Sequence, residues 1–276
     1  MKDYRVSLVN LSRFFLITLI KVFLQSAILR SQALILSLVC KEAYAWITRV
    51  LYRSVTFSTR DDLLNFQTTI LSHPELAQFI QSLYIGSTEH ESMAKSVFGQ
   101  FTWSNECLTT VRHLLAKSQN IERLALVNLP PSNWHSIEEI LPPRLKTLAV
   151  GPSYGLLGIN VAHRGLKEFY YADTILQSAE LSRIANLPSL TDFKWRSPLR
   201  FDEVVYGQLK ILLRSTSLQT LHITLFGTEM DIHKFYKTEY EDLIADERLT
   251  IVCDPQYEGS REWISDFRQQ WVTTDA

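Results

Sequence analysis

The stretch Leu166–Tyr171, LKEFYY, carries apolar side chains at its first, fourth and sixth positions. Successive side chains of a strand point to opposite faces, so Phe169 and Tyr171 face one way and Glu168 and Tyr170 the other. The same apolar-x-x-apolar-x-apolar pattern recurs as Ile80/Leu83/Ile85, Ile121/Leu124/Leu126, Leu145/Leu148/Val150, Leu190/Phe193/Trp195 and Leu218/Leu221/Ile223. Leu249/Ile251 is a weaker further copy. From the second copy to the sixth the starts fall at residues 121, 145, 166, 190 and 218, and Leu249 lies 28 residues beyond Leu221.

Between the copies, Val111–Ala116, Ile137–Leu141, Leu181–Ala185, Leu209–Leu213 and Tyr240–Ala245 have helical periodicity. The longer gap after Ile80 predicts an extra loop and helix within Glu89–Gln119. Most of the intervals match the roughly 20 to 29 residues of leucine-rich repeats, without their asparagine ladder. The expectation is therefore an irregular leucine-rich-repeat-like α/β solenoid over residues 58–276. Each strand-helix unit is too small to bury its own apolar face, so neighbours share one core. The last two apolar positions of each strand then point inward. Tyr84, Arg123, Glu168, Tyr170, Asp192, Lys194, Arg196, Thr220 and His222 point outward, as the face for a protein partner. Trp263, Ile264, Phe267 and Trp271 form an apolar stripe at helical spacing, read as a cap on the last unit.

Upstream, Val39, Ala43, Trp46, Ile47, Val50 and Leu51 recur at three- and four-residue spacing, which predicts an amphipathic helix. After Tyr52-Arg53, Val55 and Phe57 alternate with Ser54 and Thr56, a short strand. Further towards the start lie three apolar runs, Phe14–Ile20, Val22–Leu24 and Ala33–Cys40. None approaches the ~18 apolar residues that span a bilayer, and Lys21, Gln25, Arg30 and Gln32 interrupt them. Asp3 and the want of a small-x-small cleavage site argue against a signal peptide. Short helices packed on one another are expected instead.

Composition narrows the function classes. With 28 Lys plus Arg against 29 Asp plus Glu, the net charge is −1, so no overall field attracts a nucleic acid. Glycine is scarce, at 9 of 276 residues, which leaves few places for a phosphate-wrapping loop. Cys40, Cys107 and Cys253 lack metal spacing and read as reduced thiols. His90-Glu91 lacks the second histidine at 94 that a helical zinc site needs. Neither metal nor cofactor is expected.

The stretch Ser37–Phe57, SLVCKEAYAWITRVLYRSVTF, resembles the second half of an F-box as found in fungal F-box-like, leucine-rich-repeat-like proteins. Their pattern runs S-L-V-C-K-x-W and then L-Y-R-x-V. DDLLNF at 61–66, HPELAQFIQSLYI at 73–85 and the recurring triplets resemble the same family, so the similarity covers nearly the whole chain. The usual L-P-x-E start is replaced here by Arg13-Phe14-Phe15-Leu16-Ile17. The resemblance implies a degenerate F-box-like helical module over residues 8–57 that binds the Skp-type adaptor of a cullin-based ubiquitin ligase. The following region would recruit a protein substrate, in the cytoplasm or the nucleus. Leu16, Leu19, Ile20, Phe23, Leu38 and Val39 are the apolar residues for the adaptor, and the same residues equally suit packing against the first strand unit.

One motif points to catalysis. Gly151-Pro152-Ser153-Tyr154-Gly155 matches G-x-S-x-G and follows a strand, as a nucleophile elbow does. Asp192 or Asp202 and then His222 or His233 would complete a triad. Against it, Leu156–Asn160 is a poor helix start and nothing upstream supplies oxyanion donors. The expectation is a non-enzymatic interaction protein, with a serine hydrolase using Ser153 and a ligase-free scaffold as the alternatives.

Overall fold

A computed structural model describes residues 41–86, 101, 103–151, 164–172, 176–197, 199–228, 245–254 and 271. Helix α1 (Lys41–Leu51) runs into strand β1 (Ser54–Phe57). Then follow α2 (Arg60–Ser72), a 3-10 helix (Pro74–Phe79), β2 (Ser82–Ile85), α3 (Asn105–Lys117) and β3 (Arg123–Val127). A short α4 (Trp134–Glu138), β4 (Thr147–Gly151) and β5 (Glu168–Ala172) come next. The described elements end with α5 (Ser178–Ala185), β6 (Asp192–Ser197), α6 (Glu203–Leu212), β7 (Thr220–Phe226) and β8 (Leu249–Asp254).

All eight strands join one sheet in the order β1 to β8, every neighbouring pair parallel. This corrects the expected fold class. In place of a short helical module followed by a leucine-rich-repeat solenoid, one α/β sheet takes in the strand Ser54–Phe57 as its first member, with helices against it. The physical reason is a degeneracy in the pattern. Any parallel strand with one helix-covered face needs the same inward pair, and a strand, a helix and two connections fill some 21 to 28 residues in many α/β arrangements.

The inward rows are continuous across the sheet. Val55, Leu83, Leu124, Leu148, Phe169, Phe193 and Leu221 form one, and Phe57, Ile85, Leu126, Val150, Tyr171, Trp195 and Ile223 the next. The first apolar residue of each triplet, such as Ile80, Ile121 or Leu190, drops into the same core ahead of its strand. Leu63 and Ile70 of α2, Val111 and Leu114 of α3, Leu181 and Ile184 of α5, and Val205 and Leu209 of α6 close it from the helical side. Phe169 and Phe193 stack at 5.5 Å within it.

Side chains at the helix starts take up backbone donors that the first turn leaves unsatisfied. Thr59 accepts from the Asp62 N–H, Ser104 from Cys107 and Asp202 from Val205, while the Glu180 carboxylate accepts from the Gln177 N–H. The far end of α6 is held by Arg248, which donates to the Leu213 and Ser215 carbonyls at 2.9 and 3.1 Å and forks onto Asp246. Strand exits depend on unusual backbone. Gly86, Gly151 and Gly227 have φ of 146°, 150° and 139°. A Cβ on Gly151 would collide with the Ala172 carbonyl oxygen of the next strand.

The expected helices within 105–117, 178–185 and 203–212 are present, and the one expected at Ile137–Leu141 lies slightly earlier, at Trp134–Glu138. Tyr240–Ala245 lies almost wholly outside the described residues. Neither Cys107 nor Cys253 is in a disulfide among the described residues. Among the described residues no helix is long and apolar enough to cross a membrane.

Candidate functional site: the outward face of the sheet

The face opposite the helices is built by the alternate residues, and it divides in two. On β2 to β4 it is apolar and covered: Tyr84, Ala125, Val127 and Ala149 are buried together with Trp271. The Arg123 guanidinium lies over the Trp271 ring, 4.4 Å from its centroid. From β5 to β8 the same rows turn polar and open. Tyr170, Lys194, His222 and Thr250 stand side by side in register, with Lys194 and Thr250 exposed and the other two half-buried. Arg196, Thr224 and Val252 form the parallel row, and Val252 is 41% exposed.

Electrostatics tie these rows together. Lys194 places its ammonium 4.7 Å from the centroid of the Tyr170 ring. Partial burial, and then the Lys194 charge, hold the His222 imidazole below its ordinary pKa, so it is neutral near pH 7. Arg196 pairs with Asp254 at 3.5 Å. Where the strands begin, Glu168 accepts from the Thr147 hydroxyl at 3.2 Å, and Asp192 accepts from the hydroxyls of Thr191 and Thr220. The result is a two-signed polar surface with one aromatic ring at its inner margin.

The residues expected on the partner face do lie on this face. Arg123 on β3 and Glu168, Tyr170, Asp192, Lys194, Arg196, Thr220 and His222 on β5 to β7 all project from it. Tyr84 requires a correction: it has the expected direction but is fully buried, because Trp271 sits over its part of the sheet. Of the stripe read as a cap, Trp271 packs on β2 to β4; Trp263, Ile264 and Phe267 lie outside the described residues. Sequence reasoning missed Ala125, Val127 and Ala149, whose small apolar side chains at outward positions were the available signal.

The adaptor residues Leu16, Leu19, Ile20, Leu38 and Val39 lie outside the described residues, as do Ser153 and His233. Of the other triad candidates, Asp202 caps α6 and Asp192 is occupied by threonine hydroxyls. His222 stands in register with Lys194. No cluster of His, Cys, Asp or Glu among the described residues could hold a metal ion. No family model matches the chain, and no curated protein matches its sequence.

Proposed function

We propose that the protein is a non-catalytic binding protein that holds a protein partner on the open sheet face of β5 to β8. The observation that carries this reading is the register of Tyr170, Lys194 and His222 beside the Arg196 row, a tyrosine and cations of both kinds presented on rigid strands. Tyrosine and arginine are over-represented at protein interfaces, and rigid presentation lowers the entropy lost on binding. The acidic residues at the strand starts give the surface both signs, which suits register selection in a polypeptide partner better than attraction of a polyanion.

The test is a photo-crosslinker placed at position 194. It is expected to trap a discrete protein partner in cells, whereas the same group at Lys210, exposed on α6, traps none. Equal labelling from both positions would remove the sheet face from the reading.

The resemblance at Ser37–Phe57 adds a role for that partner, as the substrate of a cullin-type ubiquitin ligase reached through a Skp-type adaptor in the cytoplasm or nucleus. Holding substrate and ligase together raises their effective concentration without new chemistry. Co-expressed Skp-type adaptor is expected to co-purify with the chain, and Leu38→Asp with Val39→Asp to abolish this while leaving the melting temperature of the sheet unchanged. Failure of the wild-type chain to retain any adaptor would leave a partner-binding protein without a ligase.

A further inference from the structure

The covered half of the outward face has the form of a filled pocket. Along one outward row the residues run Tyr84, Ala125, Ala149, Tyr170. With strands about 4.8 Å apart, two alanines between two tyrosines leave a notch roughly 10 Å wide. Val127 borders it, and its pairing partner Gly151 contributes no side chain. Trp271 fills this notch and is only 2% exposed, although 148 residues separate it from Arg123, whose guanidinium covers its ring.

A second feature is left over. The Ser82 side chain points to the same face as Tyr84, in register with Arg123, and is 2% exposed. Its hydroxyl has no hydrogen-bond partner among the described residues. A buried hydroxyl left unbonded costs free energy that a ligand group able to bond it would recover.

We propose that this notch is a binding site for an indole or similar aromatic side chain, filled at rest by the chain's own Trp271, and that an aromatic residue of the protein partner enters by displacing it. The proposal rests on the reading of the sheet face as partner-binding and names what that partner carries. The chemistry is that of interface hot spots, in which Trp, Tyr and Arg meet in desolvated pockets. An apolar floor accepts the ring, the Arg123 cation faces its π surface, and the Ser82 hydroxyl is available to the backbone of the incoming residue. The notch adjoins Tyr170 and so continues into the open polar half, which would hold the residues flanking the aromatic anchor.

The experiment uses the 276-residue chain and N-acetyltryptophanamide as the probe. Trp271→Ala is expected to bind the probe at least tenfold more tightly than wild type, and Arg123→Ala in the same background to weaken that binding several-fold. N-acetylleucinamide should bind more weakly than the indole probe. In wild-type chain labelled with 5-fluorotryptophan, excess probe should move the Trp271 fluorine resonance towards the solvent-exposed position. Equal probe affinity in wild type and Trp271→Ala, or an unmoved Trp271 resonance, overturns the proposal. A Trp271→Ala chain that does not fold overturns it too, because an occupant the fold requires is not one a partner exchanges. Retained crosslinking from position 194 in that event leaves the partner-binding face standing without the notch.

Discussion

Lys194 holds its ammonium 4.7 Å from the centre of the Tyr170 ring on the preceding strand, and His222 stands in register with Lys194 on the following one. The lysine thus couples an aromatic surface to a titrating group. Lys194→Ala is expected to raise the His222 pKa, because it removes a like charge and opens the imidazole to water. A proton NMR titration of the imidazole resonances checks the direction; an unchanged or lowered value would show that Lys194 does not act on His222.

The same depression makes stability depend on pH. In the folded chain His222 binds its proton less readily than the ordinary value of 6.5, so the unfolded chain takes up a proton first as pH falls. The contribution is fully present above that ordinary value and is lost as pH drops through it towards the folded one. His222→Gln is expected to flatten this part of the pH profile, measured as urea midpoints at pH 7.5 and pH 5.5.

Glycine at two positions has opposite consequences. Gly151→Ala puts a Cβ against the Ala172 carbonyl at a φ of 150° and should cost about 2 kcal/mol or more. Gly207→Ala, within α6 with nothing near the new methyl, should gain about 0.5–1 kcal/mol from helix propensity and reduced unfolded-state entropy. Urea unfolding of the two variants side by side tests the contrast.

Arg248 closes the α6 end against β8 through two carbonyls and the Asp246 carboxylate, which its hydrogen bonds hold below the usual carboxylate pKa. Arg248→Ala should destabilise by about 1–3 kcal/mol, the range expected for losing a few charge-assisted hydrogen bonds at a half-exposed site. Arg248→Lys should recover only part of this, since an ammonium lacks the fork that reaches both carbonyls and the carboxylate at once. A lysine variant as stable as wild type would show that charge alone sufficed.

Within the core, Phe193→Ala removes a fully buried ring stacked on Phe169 and should cost about 3–5 kcal/mol. Chemical denaturation is the measure, with an unchanged slope expected if only the native state is affected.

Much of the strand layout was legible in the triplets, since Leu83, Leu124, Leu148, Phe169, Phe193 and Leu221 lie in one inward row as their spacing requires. The outward direction of Lys194, Arg196 and His222 followed from the same alternation. Strand order and fold class did not follow, because an inward pair every 21 to 28 residues suits several arrangements of parallel strands. Burial of Tyr84 was illegible for a different reason: the side chain that covers it comes from residue 271, and periodicity carries no information across such a separation. Helix α2 was also missed as an element, its apolar spacing around Leu63 and Ile70 being diluted by polar residues that face outward.

Because each strand pairs only with its neighbours in sequence, most of the sheet can be assembled by local addition. The contact between Arg123 and Trp271 departs from this, closing a loop of 148 residues. Loop closure grows costlier with length, so this contact is expected to form after the strands it touches. A chain emerging from the ribosome would therefore display an empty aromatic notch until residue 271 has left the exit tunnel. During synthesis, that notch would be open to other aromatic side chains before Trp271 itself can reach it.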